Sequence, residues 1–256
     1  MKTLSIINLK GGVAKTISAV NIAWLLAAEN GRRVLVVDND KQGNTSKFFG
    51  VHSYDEPSIA EVLTVKGYDV RRAIRAANGN GKGARLDVLP ANMTLLTANK
   101  QILMDCAWMQ QTRLRKALEA VADEYDDCII DNAPDINMSV VNALVASNDV
   151  MIPIKIDQFA FDGLEQLLQQ VEDVRDFNPQ ITVRGCFATM VQANRVNASG
   201  VEWLRQYAGA PVFETMIRKT VKVDESTFHG MPLAVYAPGC TAARDYRALV
   251  AEYLNL

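Results

Sequence analysis

The segment Lys10-Gly11-Gly12-Val13-Ala14-Lys15-Thr16 constrains this chain more than any other, because of what stands on either side of it. Residues 3–8 form a short apolar run that reads as a strand. Residues 16–30 carry Ala19, Ile22, Ala23 and Leu26 at helical spacing, with Gly31 placed to end the helix. A glycine loop leading from a strand into a helix presents backbone N–H groups to an anion at the positive helix end. Lys15 is placed to reach the β- and γ-phosphates of a nucleotide, and the Thr16 hydroxyl to ligate Mg2+. The pattern is KGGxxKT, not GxxxxGK[ST]: Leu9 and Ala14 stand where that motif has glycine, and a second lysine, Lys10, opens the loop.

Residues 33–37 (RVLVV) form a β-branched run ending in Asp38, as expected of a buried parallel strand. Further strands are predicted at 86–89, 128–130, 150–156 and 182–190. Helical patterns lie at 58–63, 70–77, 111–125 and 164–177. Strand alternating with helix throughout predicts an α/β fold, a doubly wound, mostly parallel sheet with helices on both faces. No repeat, low-complexity tract or linker divides the chain, so residues 1–256 are expected to form a single domain. Residues 78–83 have the composition of a phosphate loop, but no strand runs directly into them and no GK[ST] closes them; they read as a turn.

Composition narrows the class. The 256 residues carry 27 Lys+Arg against 29 Asp+Glu; 49% are hydrophobic and 22% charged, which is globular and not disordered. A net charge of −2 argues against coating nucleic acid by bulk charge. Cys106, Cys128, Cys186 and Cys240 are far apart and form no CxxC pair, which suits buried free thiols in a reducing compartment. The longest apolar runs, such as 22–28, fall far short of the ~20 residues that span a bilayer, and no signal peptide is apparent. A soluble, cytoplasmic protein is expected.

KGGVAKT, with its additional Lys10, resembles the deviant Walker A motif of the ParA/MinD ATPases, a P-loop NTPase family. Residues 34–44 (VLVVDNDKQGN) resemble the family's DxDPQGN motif, and 128–134 (CIIDNAP) its Walker B strand. Residues 150–168 and 212–232 resemble further family segments, and the DxDxQGN run is similar to short, Soj-like ParA more than to MinD.

The resemblance implies ATP held by Gly11, Gly12, Val13, Ala14, Lys15 and Thr16, with Lys10 and Ile17 flanking. It implies Mg2+ beside Thr16, Asp38 and Asp131. It also implies a catalytic group of Lys10, Lys15 and Asp40. Asp40 would orient the attacking water, and Lys10 would reach a partner's phosphates in an ATP-bound homodimer. Asp38 and Asp40 also fit ordinary helix capping after a strand. Arg218, Lys219 and Lys222 cluster in a segment that reads as strand-like, and Arg195 lies in the loop after a predicted strand; together they are the candidate DNA contacts. Arg195 and Lys219 match, approximately, basic family positions that hold non-specific DNA; read from sequence alone the patch is equally a solvated face. Family function implies partition of plasmid or chromosomal DNA with a ParB-type partner, slow hydrolysis stimulated by that partner, and nucleoid association. No membrane contact is implied.

Three positions depart from the family. Ala14 replaces a glycine, Lys41 replaces a proline, and Ile217-Arg218-Lys219-Thr220 replaces Ile-Pro-Arg-Asn at the adenine. These departures keep open a nucleotide-gated binding module with little hydrolysis. A MinD-like positioning ATPase would need a basic amphipathic tail. The stripe Tyr246, Leu249, Val250, Tyr253, Leu254 reads instead as core packing. An Fe–S carrier would need closely placed cysteines. Arg71, Arg72, Arg75, Arg113, Arg115 and Lys116 are expected on solvated or partner-facing helix surfaces.

Overall fold

The computed structural model describes residues 1–78, 85–157 and 163–256. Seven strands are β1 (Lys2–Ile6), β2 (Arg33–Asn39), β3 (Arg75–Ala76), β4 (Arg85–Leu89), β5 (Asp127–Asn132), β6 (Asp149–Lys155) and β7 (Thr182–Thr189). They form one sheet in the order β3-β4-β2-β5-β1-β6-β7, parallel throughout except for the short antiparallel edge strand β3. The helices are α1 (Lys15–Ala28), α2 (Asn44–Phe48), α3 (Ile59–Thr64), α4 (Thr94–Met104), α5 (Arg113–Glu119) and α6 (Met138–Ala146). They continue as α7 (Leu164–Val174), α8 (Arg195–Tyr207), α9 (Val221–Phe228), α10 (Leu233–Tyr236) and α11 (Thr241–Leu254).

Strand alternation divides the core between the two faces of the sheet. On β2, Val34 and Val36 pack with α1 and α11, while Leu35 and Val37 face α3, α4 and α5. On β6, Met151 joins the α1 side, while Val150, Ile152 and Ile154 meet α6, α7 and α8. Each such side chain, fully buried, stabilises the fold by about 1.5–3 kcal/mol relative to exposure. That is why RVLVV reads as unbroken hydrophobicity in place of an alternation. Tyr246, Leu249, Val250 and Tyr253 of α11 are buried in this core, as the periodicity predicts, while Leu254 is exposed.

The order of strands also fixes where a ligand can bind. The chain leaves β1 for β2 on one side and later fills β6 and β7 on the other, so the connections part at the carboxyl end of β1. Crevices in open α/β sheets form at such points. Here the ends of β1, β2 and β5 converge, with Ile6 opposite Asp131 and Asp38 opposite Asp131 in register.

Several local readings differ from the sequence expectation. Residues 70–77 are not a helix: a single 3-10 turn, Val70–Arg72, is followed by β3. The helix expected at 111–125 shortens to α5. Of residues 78–83 only Asn78 is described, its N–H donating to the Phe49 carbonyl; the others lie outside the described residues. Cys128 and Cys186 are buried, but Cys106 is exposed and Cys240 only partly covered.

Arg113 is the clearest correction. It was expected on a surface, yet its side chain is fully buried. The guanidinium donates to the Leu63 carbonyl at 2.9 Å and the Asp105 carboxylate at 3.0 Å, and lies 4.2 Å from the Trp108 ring centroid. Burial of a charge is tolerable when each donor is met in this way. Arg113→Ala is expected to lower stability by about 3 kcal/mol, because a carbonyl and a carboxylate lose a buried charged donor. A urea denaturation midpoint within error of wild type would contradict this role.

Candidate active site

The loop after β1 is built to leave donors open. The Asn8 side chain anchors its start, donating to the Pro153 carbonyl and accepting from the Lys10 N–H, both at 2.8 Å. Farther on, the Thr189 hydroxyl donates to the Val13 carbonyl at 3.1 Å. Helix α1 then begins with no side-chain cap and no acidic residue in its first turn. Its first N–H groups and positive dipole end therefore face a cavity of about 830 Å³. The cavity is lined by Gly11, Gly12, Ala14, Lys15, Thr16, Ile17 and Asp40, and farther out by Phe48, Met190, Phe228 and His229.

Two backbone positions in this wall are strained. Ala14 (φ 69°) and Met190 (φ 54°) are the non-glycine residues with left-handed backbone among those described, and both line the cavity. A Cβ in that conformation costs roughly 1–2 kcal/mol. Such strain gathers at ligand sites because the surrounding structure enforces it.

Behind the loop, the carboxyl groups of Asp38 and Asp131 are both completely buried. Asp38 accepts from the Ser46 hydroxyl at 2.6 Å, the Ser46 N–H at 2.8 Å and the Asp40 N–H at 3.2 Å. Ser46 in turn accepts from the Ala91 N–H at 2.9 Å. Burial, with the neighbouring Asp131 charge, pushes Asp38 up to about 8 against these hydrogen bonds. Asp38 thus holds the turn that carries Asp40.

Asp131 is arranged differently. One oxygen, Oδ2, accepts from the Thr16 hydroxyl at 2.8 Å and the Thr45 hydroxyl at 2.7 Å. The other, Oδ1, is buried with no hydrogen-bond partner among the described residues. Burial raises this carboxyl to about 6, and the two hydroxyls and Lys15 oppose the rise. An orphaned carboxylate oxygen beside a hydroxyl whose lone pairs remain unused is a donor set that fits a hard divalent cation. Among the described residues no group of three or more His, Cys, Asp or Glu could hold a metal alone. Mg2+ usually keeps waters and phosphate oxygens and takes only one or two carboxylates from the protein.

Both loop lysines are engaged within the chain. Lys15 donates to the Lys10 carbonyl at 2.9 Å; burial lowers its pKa, and Asp131, Asp40 and Asp135 oppose that. Lys10 meets Asp157 at 2.5 Å. Lys41, at the family's proline position, lies 3.7 Å from Asp135, linking the Asp40 turn to the loop after β5.

The four basic residues expected at DNA lie at the carboxyl end of the sheet near β7. Arg195 opens α8 after an Asn194 cap, and Lys219 donates its N–H to the Val191 carbonyl. Both are exposed and form no ion pair among the described residues. Arg218 is instead gripped by Asp245, at 2.5 Å from Nη2, and Lys222 pairs with Glu225 at 2.7 Å. The segment that carries Arg218, Lys219 and Lys222 forms no strand: Arg218 makes an isolated bridge to Val191, and Lys222 lies on α9.

Thr45, Ser46 and Asp157 were missed in the sequence, although the first two directly follow the QGN run. Only the fold shows which carboxylate each hydroxyl meets.

A phosphate cradle with a leading lysine, at the switch point of a parallel sheet, defines a P-loop ATPase of the deviant Walker A class. Comparison makes the assignment specific. A family model described as an AAA domain matches residues 1–183. The sporulation initiation inhibitor protein Soj of Bacillus subtilis is 34% identical over 253 residues, covering 98% of this chain and 97% of its own. The chromosome partitioning protein ParA of Caulobacter vibrioides is 32% identical, with 100% and 94% covered. The structure of cobyrinic acid a,c-diamide synthase from Mycobacterium smegmatis, with bound ATP analogue and magnesium, is 27% identical with a TM-score of 0.84, covering 100% of this chain and 95% of its own. The chain belongs to this AAA-domain family and is a ParA/MinD-type ATPase close to the Soj-like proteins.

Relieving the strain at position 14 provides one test. Ala14→Gly is expected to stabilise the nucleotide-free protein by about 1 kcal/mol, read from its urea midpoint. Titration provides another. The raised pKa values of Asp38 and Asp131 mean that the folded state holds protons the unfolded state has released. Their contribution is fully present below about pH 4 and is lost as pH rises through about 6 for Asp131 and about 8 for Asp38. Without nucleotide, the melting temperature should therefore fall between about pH 5.5 and about pH 8.5, and Asp38→Asn should flatten that fall. An equally steep fall in the variant would contradict the assignment.

Proposed function

We propose that this protein is an ATP- and Mg2+-dependent ATPase that dimerises on ATP, holds DNA without sequence preference, and partitions plasmid or chromosomal DNA with a ParB-type partner. In this reading the whole chain acts as one ATPase domain, cytoplasmic and nucleoid-associated. The observation that carries the reading is Lys10 at the head of the loop that leads into the uncapped α1. The chain holding it matches Soj and ParA almost end to end.

Each residue then has a task. The N–H groups of Gly11 to Thr16 bind phosphate oxygens, with Ile17 continuing the wall. Lys15 exchanges the Lys10 carbonyl for phosphate, which keeps its ammonium charged where burial alone would oppose it. Thr16 and Asp131 hold the cation, which supplies charge neutralisation at the phosphates. Asp38, assigned to the metal on sequence, acts through its grip on Ser46 and on the backbone of Asp40. Asp40 orients water for attack. Lys10 must leave Asp157 to reach a partner's phosphates, so its release accompanies dimerisation.

DNA would be held chiefly by Arg195 and Lys219, doubled in a dimer, with Arg218 and Lys222 contributing less because Asp245 and Glu225 neutralise them. Contacts of this kind go to the phosphate backbone and are salt-sensitive.

With ATP and Mg2+, the wild-type protein is expected to be retained on non-specific DNA at low salt. Lys10→Ala should lose that retention while still binding ATP. Arg195→Ala combined with Lys219→Ala should weaken DNA binding and lower the salt slope by about one for each DNA phosphate that a protomer no longer neutralises. Asp40→Ala should bind ATP yet release phosphate at least about a hundredfold more slowly. No ATP-dependent retention of the wild type would sink the partition reading. Retention without any phosphate release would favour a nucleotide-gated binding module.

A further inference from the structure

Thr45 has no role in the chemistry described so far, yet its hydroxyl points at the carboxylate on which the cation site depends. We infer that Thr45 is a positioning residue for Asp131, setting the orientation of its carboxylate for Mg2+ and tying it to the turn that carries Asp40. The inference rests on the ATP and Mg2+ reading above.

Three observations carry it. First, Oδ2 of Asp131 receives two hydroxyl protons, from Thr16 at 2.8 Å and from Thr45 at 2.7 Å, so the plane of the carboxylate is fixed by two anchors. Second, those anchors differ in kind. Thr16 lines the cavity and is partly exposed, whereas Thr45 is fully buried on α2, outside the cavity wall. Thr16 has lone pairs to give a cation; Thr45, which does not line the cavity, gives its proton to Asp131. Third, the same carboxylate leaves Oδ1 buried and without a partner among the described residues. Pinning Oδ2 from two directions is what keeps Oδ1 from rotating toward some other donor.

The position of Thr45 in the chain adds a link. It directly follows Asn44, in the first turn of α2, and the Gly43 N–H donates to the Asp40 carbonyl at 2.9 Å. Its neighbour Ser46 grips Asp38. Two adjacent hydroxyls therefore fasten one short helix to two adjacent strands, Ser46 to β2 and Thr45 to β5. The Asp40 turn cannot shift relative to Asp131 without breaking the Thr45 bond. Partners that orient a metal-side ligand in this way matter for affinity even though they never touch the metal.

The test is a Mg2+ titration of the purified protein with a fluorescent ATP analogue, comparing wild type, Thr45→Val and Thr45→Ser. Thr45→Val keeps the shape and removes the proton. It is expected to raise the Mg2+ concentration at half-saturation about tenfold or more, while Thr45→Ser restores it to within about threefold of wild type. Binding of the analogue in EDTA, which does not use the cation, should stay within about twofold for all three proteins. That control separates loss of positioning from loss of fold. Should Thr45→Val not fold, Thr45→Cys keeps a weak donor and should raise the Mg2+ requirement by between about threefold and about tenfold. A Mg2+ requirement within about twofold of wild type in Thr45→Val, or equal damage from Thr45→Ser, overturns the inference. Failure of the wild type to bind the analogue with Mg2+ would instead overturn the ATP reading itself.

Discussion

Two carboxyl groups placed side by side at the ends of adjacent parallel strands, both out of water, are the constraint on which the rest of this structure depends. Asp38 and Asp131 face each other in the β2–β5 register, and neither can remain charged there without donors. Ser46 and the Asp40 N–H meet the first; Thr16 and Thr45 meet the second. Those four donors come from the start of α1, from the Asp40 turn and from α2, so the carboxylates decide how three elements converge. Of the four carboxyl oxygens, Oδ1 of Asp131 is left without a proton donor among the described residues.

The same placement accounts for the distribution of charge. A net charge of −2 is no obstacle to holding polyanions when the cations are concentrated where the anions bind. Lys15 and the uncapped α1 stand at the cavity proposed for the nucleotide phosphates, while Arg195 and Lys219 stand exposed near the end of β7. Asp157, Asp245 and Glu225 neutralise Lys10, Arg218 and Lys222 in the chain as it stands. A small cationic surface gives weak binding that a conformational step can switch, which suits a reversible hold on DNA.

Much of the fold was legible in the sequence because parallel strands buried on both faces leave unbroken apolar runs, and RVLVV is such a run. The glycine loop with Lys10 and Lys15 was legible because its neighbours in sequence are its neighbours in space. What escaped depends on long-range contacts. Arg113 reads as a surface residue by type, and only Leu63, Asp105 and Trp108, brought to it by the fold, make its burial tolerable. Residues 70–77 have helical spacing, but pairing of Arg75 and Ala76 with β4 overrides that preference. The hydrogen bonds of Asp38 escaped as well: its donors, the Asp40 N–H and Ser46, lie two to eight residues downstream, and spacing alone does not show which donors a strand-end carboxylate meets.

In the proposed dimer Lys10 leaves Asp157 for the partner's phosphates, so assembly depends on ATP, Mg2+ and Lys10 together. Sedimentation velocity of the Asp40→Ala protein, chosen to slow turnover, tests it most directly. A monomer is expected without nucleotide, a dimer at saturating ATP and Mg2+, and a monomer again when Lys10→Ala is added. A species that remains monomeric with ATP and Mg2+, or a dimer indifferent to Lys10, would contradict it.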